Sequence, residues 1–170
     1  MNSFVALLRA VNVGGTGKLP MAELKTMSEK LGFEAVRTYI ASGNLVFETP
    51  LTEQCVKAAL EGALERFAGK PVGVMIRTAG QMADVLASNP FPSAATNRTV
   101  AIFLDQAPAA DALDQITGRT DEEVRLGKRE IYVHYGERMA DSKLKISAAT
   151  SGTARNMNTI AKLAEMAQRR

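Results

Sequence analysis

Phe4-Val5-Ala6-Leu7-Leu8 is apolar at every position, with no polar residue alternating through it. A strand with one wetted face alternates, so an unbroken run of this kind reads as a strand covered on both faces. Such a strand belongs in the middle of a sheet. The chain must then supply neighbouring strands and two covering layers from later in its sequence. With 170 residues, 46% of them hydrophobic and 23% charged, it has the material for that core. Arg9 ends the run, and a polar, glycine-rich stretch follows it as Asn12-Val13-Gly14-Gly15-Thr16-Gly17-Lys18.

Pro20 suits a helix start, and Met21, Leu24, Met27 and Leu31 recur at three- and four-residue steps as one apolar stripe. Gly32 is a fitting stop. Strands are expected over 35–40 and 45–47, joined by the turn Ala41-Ser42-Gly43-Asn44. A second helix over 51–67 would bury Val56, Leu60, Ala63, Leu64 and Phe67, with Gly69 ending it and a strand over 72–76 following. The order is β-α-β-β-α-β, the split β-α-β or ferredoxin-like pattern.

Beyond residue 79 the pattern repeats in outline. A short helix over 81–87 leads to Asn89-Pro90-Phe91-Pro92, then a strand over 99–104 and a helix over 109–116. A hairpin is expected over 124–126 and 131–135, residues 136–150 read as a loop or irregular helix, and a helix over 156–167 closes the chain. The expectation is an α+β protein of two ferredoxin-like halves in tandem, 1–79 and 80–170, the second less regular.

Composition removes much chemistry. One cysteine, Cys55, excludes an intramolecular disulfide, and one histidine, His134, leaves no His cluster for a metal. No cofactor and no metal are expected. The apolar start is short and closed by Arg9, which is no export signal, and no stretch approaches the ~18 apolar residues of a membrane helix. A cytoplasmic protein without a membrane partner is the expectation. Cys55 reads as an inert buried thiol, His134 as a lone surface histidine, and Asp121-Glu122-Glu123 as a solvated acidic turn.

Three segments carry a family resemblance. Ala6-Leu7-Leu8-Arg9-Ala10-Val11-Asn12-Val13-Gly14-Gly15 is followed by Leu19-Pro20-Met21-Ala22-Glu23-Leu24. Thr38-Tyr39-Ile40-Ala41-Ser42-Gly43-Asn44-Leu45-Val46-Phe47 comes second, and Gly152-Thr153-Ala154-Arg155-Asn156-Met157-Asn158-Thr159 third. Together, in this order and spacing, they resemble the bacterial "domain of unknown function 1697" family. The resemblance covers essentially the whole chain and implies two α+β halves. It brings no activity with it. The chain departs from the family's usual Gly at Ala10, Gln at Ala41 and Trp at Met157, and the missing Trp removes a stacking surface.

The glycine stretch is the strongest local signal for a ligand. Glycines let a strand-to-helix turn aim backbone N–H groups inward, and a helix terminus with Lys18 beside it favours an anion. It is not a P-loop, which needs Gly where Asn12 stands and Ser or Thr where Leu19 stands. Arg155, next to the helix-capping candidates Asn156 and Asn158, is a second anion-clamp pattern. The reading is an anionic or phosphate-bearing small molecule held in a cleft between the halves. Arg9, Asn12, Gly14, Gly15, Lys18, Ser42, Asn44, Arg155, Asn156 and Asn158 are its candidate residues. Turn formation, helix capping and local ion pairing remain open for each. No nucleophile or base stands out, so no reaction is assigned. From Arg125 onward ten basic residues face four acidic ones, which keeps an RNA-binding module as an alternative, although an exposed aromatic pair is lacking. A protein-interaction module using a sheet edge is the third reading.

Overall fold

The computed structural model describes residues 1–9, 18–137 and 139–168. The first strand, β1 (Asn2–Leu8), is followed by α1 (Met21–Lys30), β2 (Glu34–Thr38), β3 (Asn44–Thr49), α2 (Glu53–Ala68) and β4 (Val74–Thr78). These strands form one sheet in the order β2-β3-β1-β4, with every neighbouring pair antiparallel. The all-apolar first strand therefore lies inside its sheet, as its composition requires. Phe4, Ala6 and Leu8 pack with Leu24 of α1 and Val56, Leu60 and Leu64 of α2 in one core cluster. Val5 and Leu7, on the opposite face, are equally buried. Phe47 stacks on Phe33 with ring centroids 4.4 Å apart.

Helix ends follow the local chemistry. Thr52 accepts a hydrogen bond from the Cys55 N–H at 3.2 Å at the start of α2, and Gly69, at φ 72°, closes it in the left-handed region. Two details of α2 differ from the sequence expectation. Phe67 is 46% exposed, one turn past the buried stripe, and Cys55 is exposed rather than buried. Both lie near helix ends, where the stripe drifts off the sheet.

The sheet edges are protected. On β2 the pairing with β3 shifts between Glu34 and Arg37, beside Ala35 at φ 51°. On β4 the Val74 N–H donates to Glu61 and its carbonyl accepts from Lys57, both from α2. Bulging and side-chain cover are two established ways to block edge-to-edge pairing.

The chain continues through α3 (Ala79–Ala87), β5 (Thr99–Phe103), β6 (Ile116–Thr117), β7 (Glu123–Leu126), β8 (Glu130–His134), β9 (Lys145–Ile146), β10 (Thr153–Asn156) and α4 (Met157–Gln168). A second antiparallel sheet has the order β10-β5-β8-β7, and β6 pairs with β9 in a two-stranded ribbon. Written backward, this order is β7-β8-β5-β10. It matches β2-β3-β1-β4 strand for strand. Val100, Ile102, Val124, Ile131 and Val133 centre its core.

The helix expected over 109–116 is instead a single 3₁₀ turn, Ala112–Gln115. Seven residues between Pro108 and the β-branched Ile116-Thr117 are too few to nucleate a stable helix, and Asp111 and Asp114 have side chains that compete for the backbone. Strand β10, by contrast, occupies residues that read as a helix cap from sequence.

The chain divides into two compact units, Met1–Met82 with Leu163–Arg170, and Ala83–Lys162. The boundaries thus fall inside α3 and inside α4. Within the first unit, Ser3 Oγ donates to the Ala167 carbonyl at 2.7 Å. Among the described residues, no helix is long and apolar enough to cross a membrane.

Candidate functional site

The carboxyl end of β1 gathers several of the sequence-derived candidates. Leu8 N–H donates to the Gly43 carbonyl and Arg9 N–H to the Gly73 carbonyl, both at 2.9 Å. The strand end is thereby tied on both sides. Arg9 itself is exposed, and its stem runs past Gly73, where an added Cβ would meet Arg9 Cβ at 3.7 Å. Lys18 is exposed, and Leu19 after it is buried. Asn12, Gly14 and Gly15 lie outside the described residues.

The hairpin beside this strand end is organised by Asn44. Its side chain is fully buried and Nδ2 donates to the Tyr39 carbonyl at 2.8 Å and to Ser42 Oγ at 2.9 Å. Asn44 and Ser42 thus form the turn itself. At its tip, Ile40 is 50% exposed and held at φ 51°. A β-branched side chain in the left-handed region is strained by roughly 1–3 kcal/mol. Strain of this kind gathers at functional sites when the surrounding hydrogen bonds enforce it.

Arg155, Asn156 and Asn158 lie in the second unit. Arg155 is buried on β10, and its Nη1 donates to Thr153 Oγ1 at 2.7 Å and to the Ala154 carbonyl at 2.9 Å. Desolvation lowers its pKa to about 10. Asn156 Oδ1 accepts from the Thr159 N–H at 2.9 Å and caps α4, while Asn158 is exposed in the first turn.

The first unit repeats this arrangement. Arg77, 1% exposed, sits two residues before α3, and its Nη1 donates to the Ile76 carbonyl at 2.9 Å. Thr78 Oγ1 accepts from the Gln81 N–H, and Gln81 Oε1 accepts from the Thr78 N–H, a reciprocal capping box. Both units therefore end their last strand on a buried arginine, a capping residue and a helix. Sequence reading missed Arg77 because it ended that strand at residue 76. The triplet Arg-Thr-Ala against Arg-Asn-Met carries too little identity to reveal the repeat.

Glu122 was also missed. It is 2% exposed, and its carboxylate accepts from Thr120 N–H at 2.7 Å, Thr120 Oγ1 at 2.9 Å and Ser142 Oγ at 2.6 Å. The Ser142 bond, then the Thr120 amide, hold its pKa down to about 2. Its neighbours Asp121 and Glu123 are exposed as the acidic-turn reading expects. His134 is half-buried rather than on the surface, with Nδ1 3.3 Å from Thr99 Oγ1. Among the described residues, no group of three His, Cys, Asp or Glu side chains could hold a metal ion.

The architecture is that of an α+β protein built on antiparallel sheets, and it is shared with a solved structure. The conserved bacterial protein SP0830 of Streptococcus pneumoniae superposes with a TM-score of 0.82 at 24% identity, covering 98% of this chain and 99% of that one. Residues 1–132 match the family described as "Protein of unknown function (DUF1697)", and the chain belongs to that family. No curated protein matches it.

Proposed function

We propose that the protein binds an anionic, phosphate- or carboxylate-bearing small molecule at the carboxyl end of β1. The observation that carries this reading is the exposed Arg9 guanidinium on a strand end tied by backbone bonds to Gly43 and Gly73. The tied backbone fixes the point from which the Arg9 side chain leaves the sheet, and its guanidinium is the charge offered to the ligand. Lys18 adds a second exposed cation, and the strained tip at Ile40 supports a site on the same sheet end. Asn12, Gly14 and Gly15, between the two cations, belong to the proposal as backbone donors. We also infer that both units are ferredoxin-like, which their matching strand orders support, and that the protein is cytoplasmic.

A thermal-shift titration with inorganic phosphate, AMP, glucose 6-phosphate, citrate and a short RNA tests it. A ligand at ~100 Kd adds about 2.7 kcal/mol, a rise of roughly 5–10 °C for a chain of this size. The expected result is stabilisation by one of the small anions, reduced in Arg9→Ala and in Lys18→Ala. No stabilisation across the small anions, or a shift untouched by Arg9→Ala, overturns the reading. Stabilisation by RNA alone, falling steeply with salt, would replace it with the nucleic-acid alternative.

A further inference from the structure

The second unit contains a cleft of about 400 Å³ between the turn ahead of β7 and the segment that follows β8. Its walls are locked. A Cβ on Gly118 would fall 2.0 Å from the Lys143 carbonyl oxygen, and one on Gly136 would fall 1.7 Å from Asp121 Oδ2. Only glycine permits the backbone approach at Gly118, whereas the exposed Asp121 could turn its carboxylate away from a Cβ at Gly136. Behind the cleft the Glu122 carboxylate joins Thr120 on one wall to Ser142 on the other. With three donors on it, that charge is committed to holding the walls.

The remaining lining is of mixed sign. Arg119 donates from Nε to the Glu122 carbonyl at 2.7 Å. Among the described residues this is the one hydrogen bond of its side chain, and it orients the guanidinium while both Nη groups stay available. Lys143 adds an exposed ammonium, and Asp121 and Asp141 are exposed carboxylates on the same cleft. Tyr135 also lines it, its pKa raised by burial and then by the Glu122 charge, so its phenol is neutral at physiological pH.

The lining thus carries two cations, Arg119 and Lys143, and three carboxylates, the exposed Asp121 and Asp141 and the buried Glu122, whose oxygens are taken by its three donors. A simple anion would meet repulsion from the aspartates, and a simple cation would meet it from Arg119 and Lys143. A molecule carrying both charges meets neither. The volume falls at the small end of the range for ligand pockets, ~300–1,000 Å³. We propose that this cleft binds a small zwitterion of the free amino-acid class, its carboxylate on the Arg119 guanidinium and its ammonium on Asp121 and Asp141. This site is independent of the anion reading for the first unit.

The test is calorimetric titration of the full chain with L-alanine, L-leucine and L-glutamate, each beside its N-acetyl and α-amide derivatives. The expected result is saturable binding of at least one free amino acid, weakened about tenfold or more by blocking either charged end. Asp141→Asn should weaken it similarly, and Arg119→Lys, which keeps the charge but loses the fork, should do so as well. Among the described residues the Asp141 side chain makes no hydrogen bond, so its variant keeps the test readable if Arg119→Lys disturbs the turn. Absence of saturable binding up to ~10 mM for all three amino acids overturns the proposal. Binding indifferent to N-acetylation or to Asp141→Asn overturns it equally.

Discussion

Replacing Glu122 by Gln removes the charge from a buried carboxylate that joins two loops of the second unit. Three donors converge on that carboxylate, from the Thr120 amide, the Thr120 hydroxyl and Ser142. A hydrogen bond to a charged acceptor contributes about 1.5–3 kcal/mol, against about 1 kcal/mol for a neutral one. Glutamine keeps one acceptor oxygen, so one bond is lost and the others weaken, for a total of roughly 2–4 kcal/mol. Thermal melts followed by circular dichroism should then fall by ~5–12 °C near neutral pH. The pH dependence has a definite sign. The folded carboxyl has a pKa of about 2 against its ordinary 4.5, so the unfolded chain takes up the proton first. Its stabilisation is complete above pH 4.5 and is lost as pH falls through about 2. The gap between wild type and Glu122→Gln should therefore narrow steadily below about pH 4.5. A double-mutant cycle with Ser142→Ala should show coupling of ~0.5–3 kcal/mol. A gap constant from about pH 6 to pH 3, or a melt within ~1 °C of wild type, would refute the reasoning.

Two further outcomes concern the first unit. Ile40→Asn should raise stability by about 1 kcal/mol in guanidinium unfolding, since Asn tolerates the left-handed region and Ile40 is half exposed; a loss would contradict the strain assignment. Asn44→Ala should cost about 2 kcal/mol because two turn bonds disappear, while Ser42→Ala should cost under ~1 kcal/mol. Equal effects would show that the buried amide does not organise the turn.

What the sequence revealed was whatever depends on a residue and its near neighbours. Five consecutive apolar residues suffice to place β1 inside a sheet, because no one-sided strand needs them. Leu24 in α1 and the Val56, Leu60 and Leu64 stripe of α2, with Gly69 after it, mark helices by spacing and stop signal alone. Glu122 hid because its burial is set by Ser142, twenty residues away, which no local pattern announces. The same holds for Arg77, buried through pairing of β4 with Val5, and for β10, whose four residues become a strand only beside β5. Among the candidate ligand residues, Arg9 has the exposure the proposal needs. Asn44 and Asn156 instead spend their amides on a turn and a helix cap, roles that residue type alone leaves open.

The last turns of α4 belong to the first unit, and this reverses the usual order of events during synthesis. A nascent chain ordinarily completes its amino-terminal unit first. Here the ribosome emits all of Ala83–Lys162 before it emits Leu163, Ala164 and Ala167, which are buried in the finished fold. The unit begun first is closed last, when the Ala167 carbonyl reaches Ser3. Until then the first unit waits on Leu163, Ala164 and Ala167, and a message truncated after Lys162 would leave it unfinished.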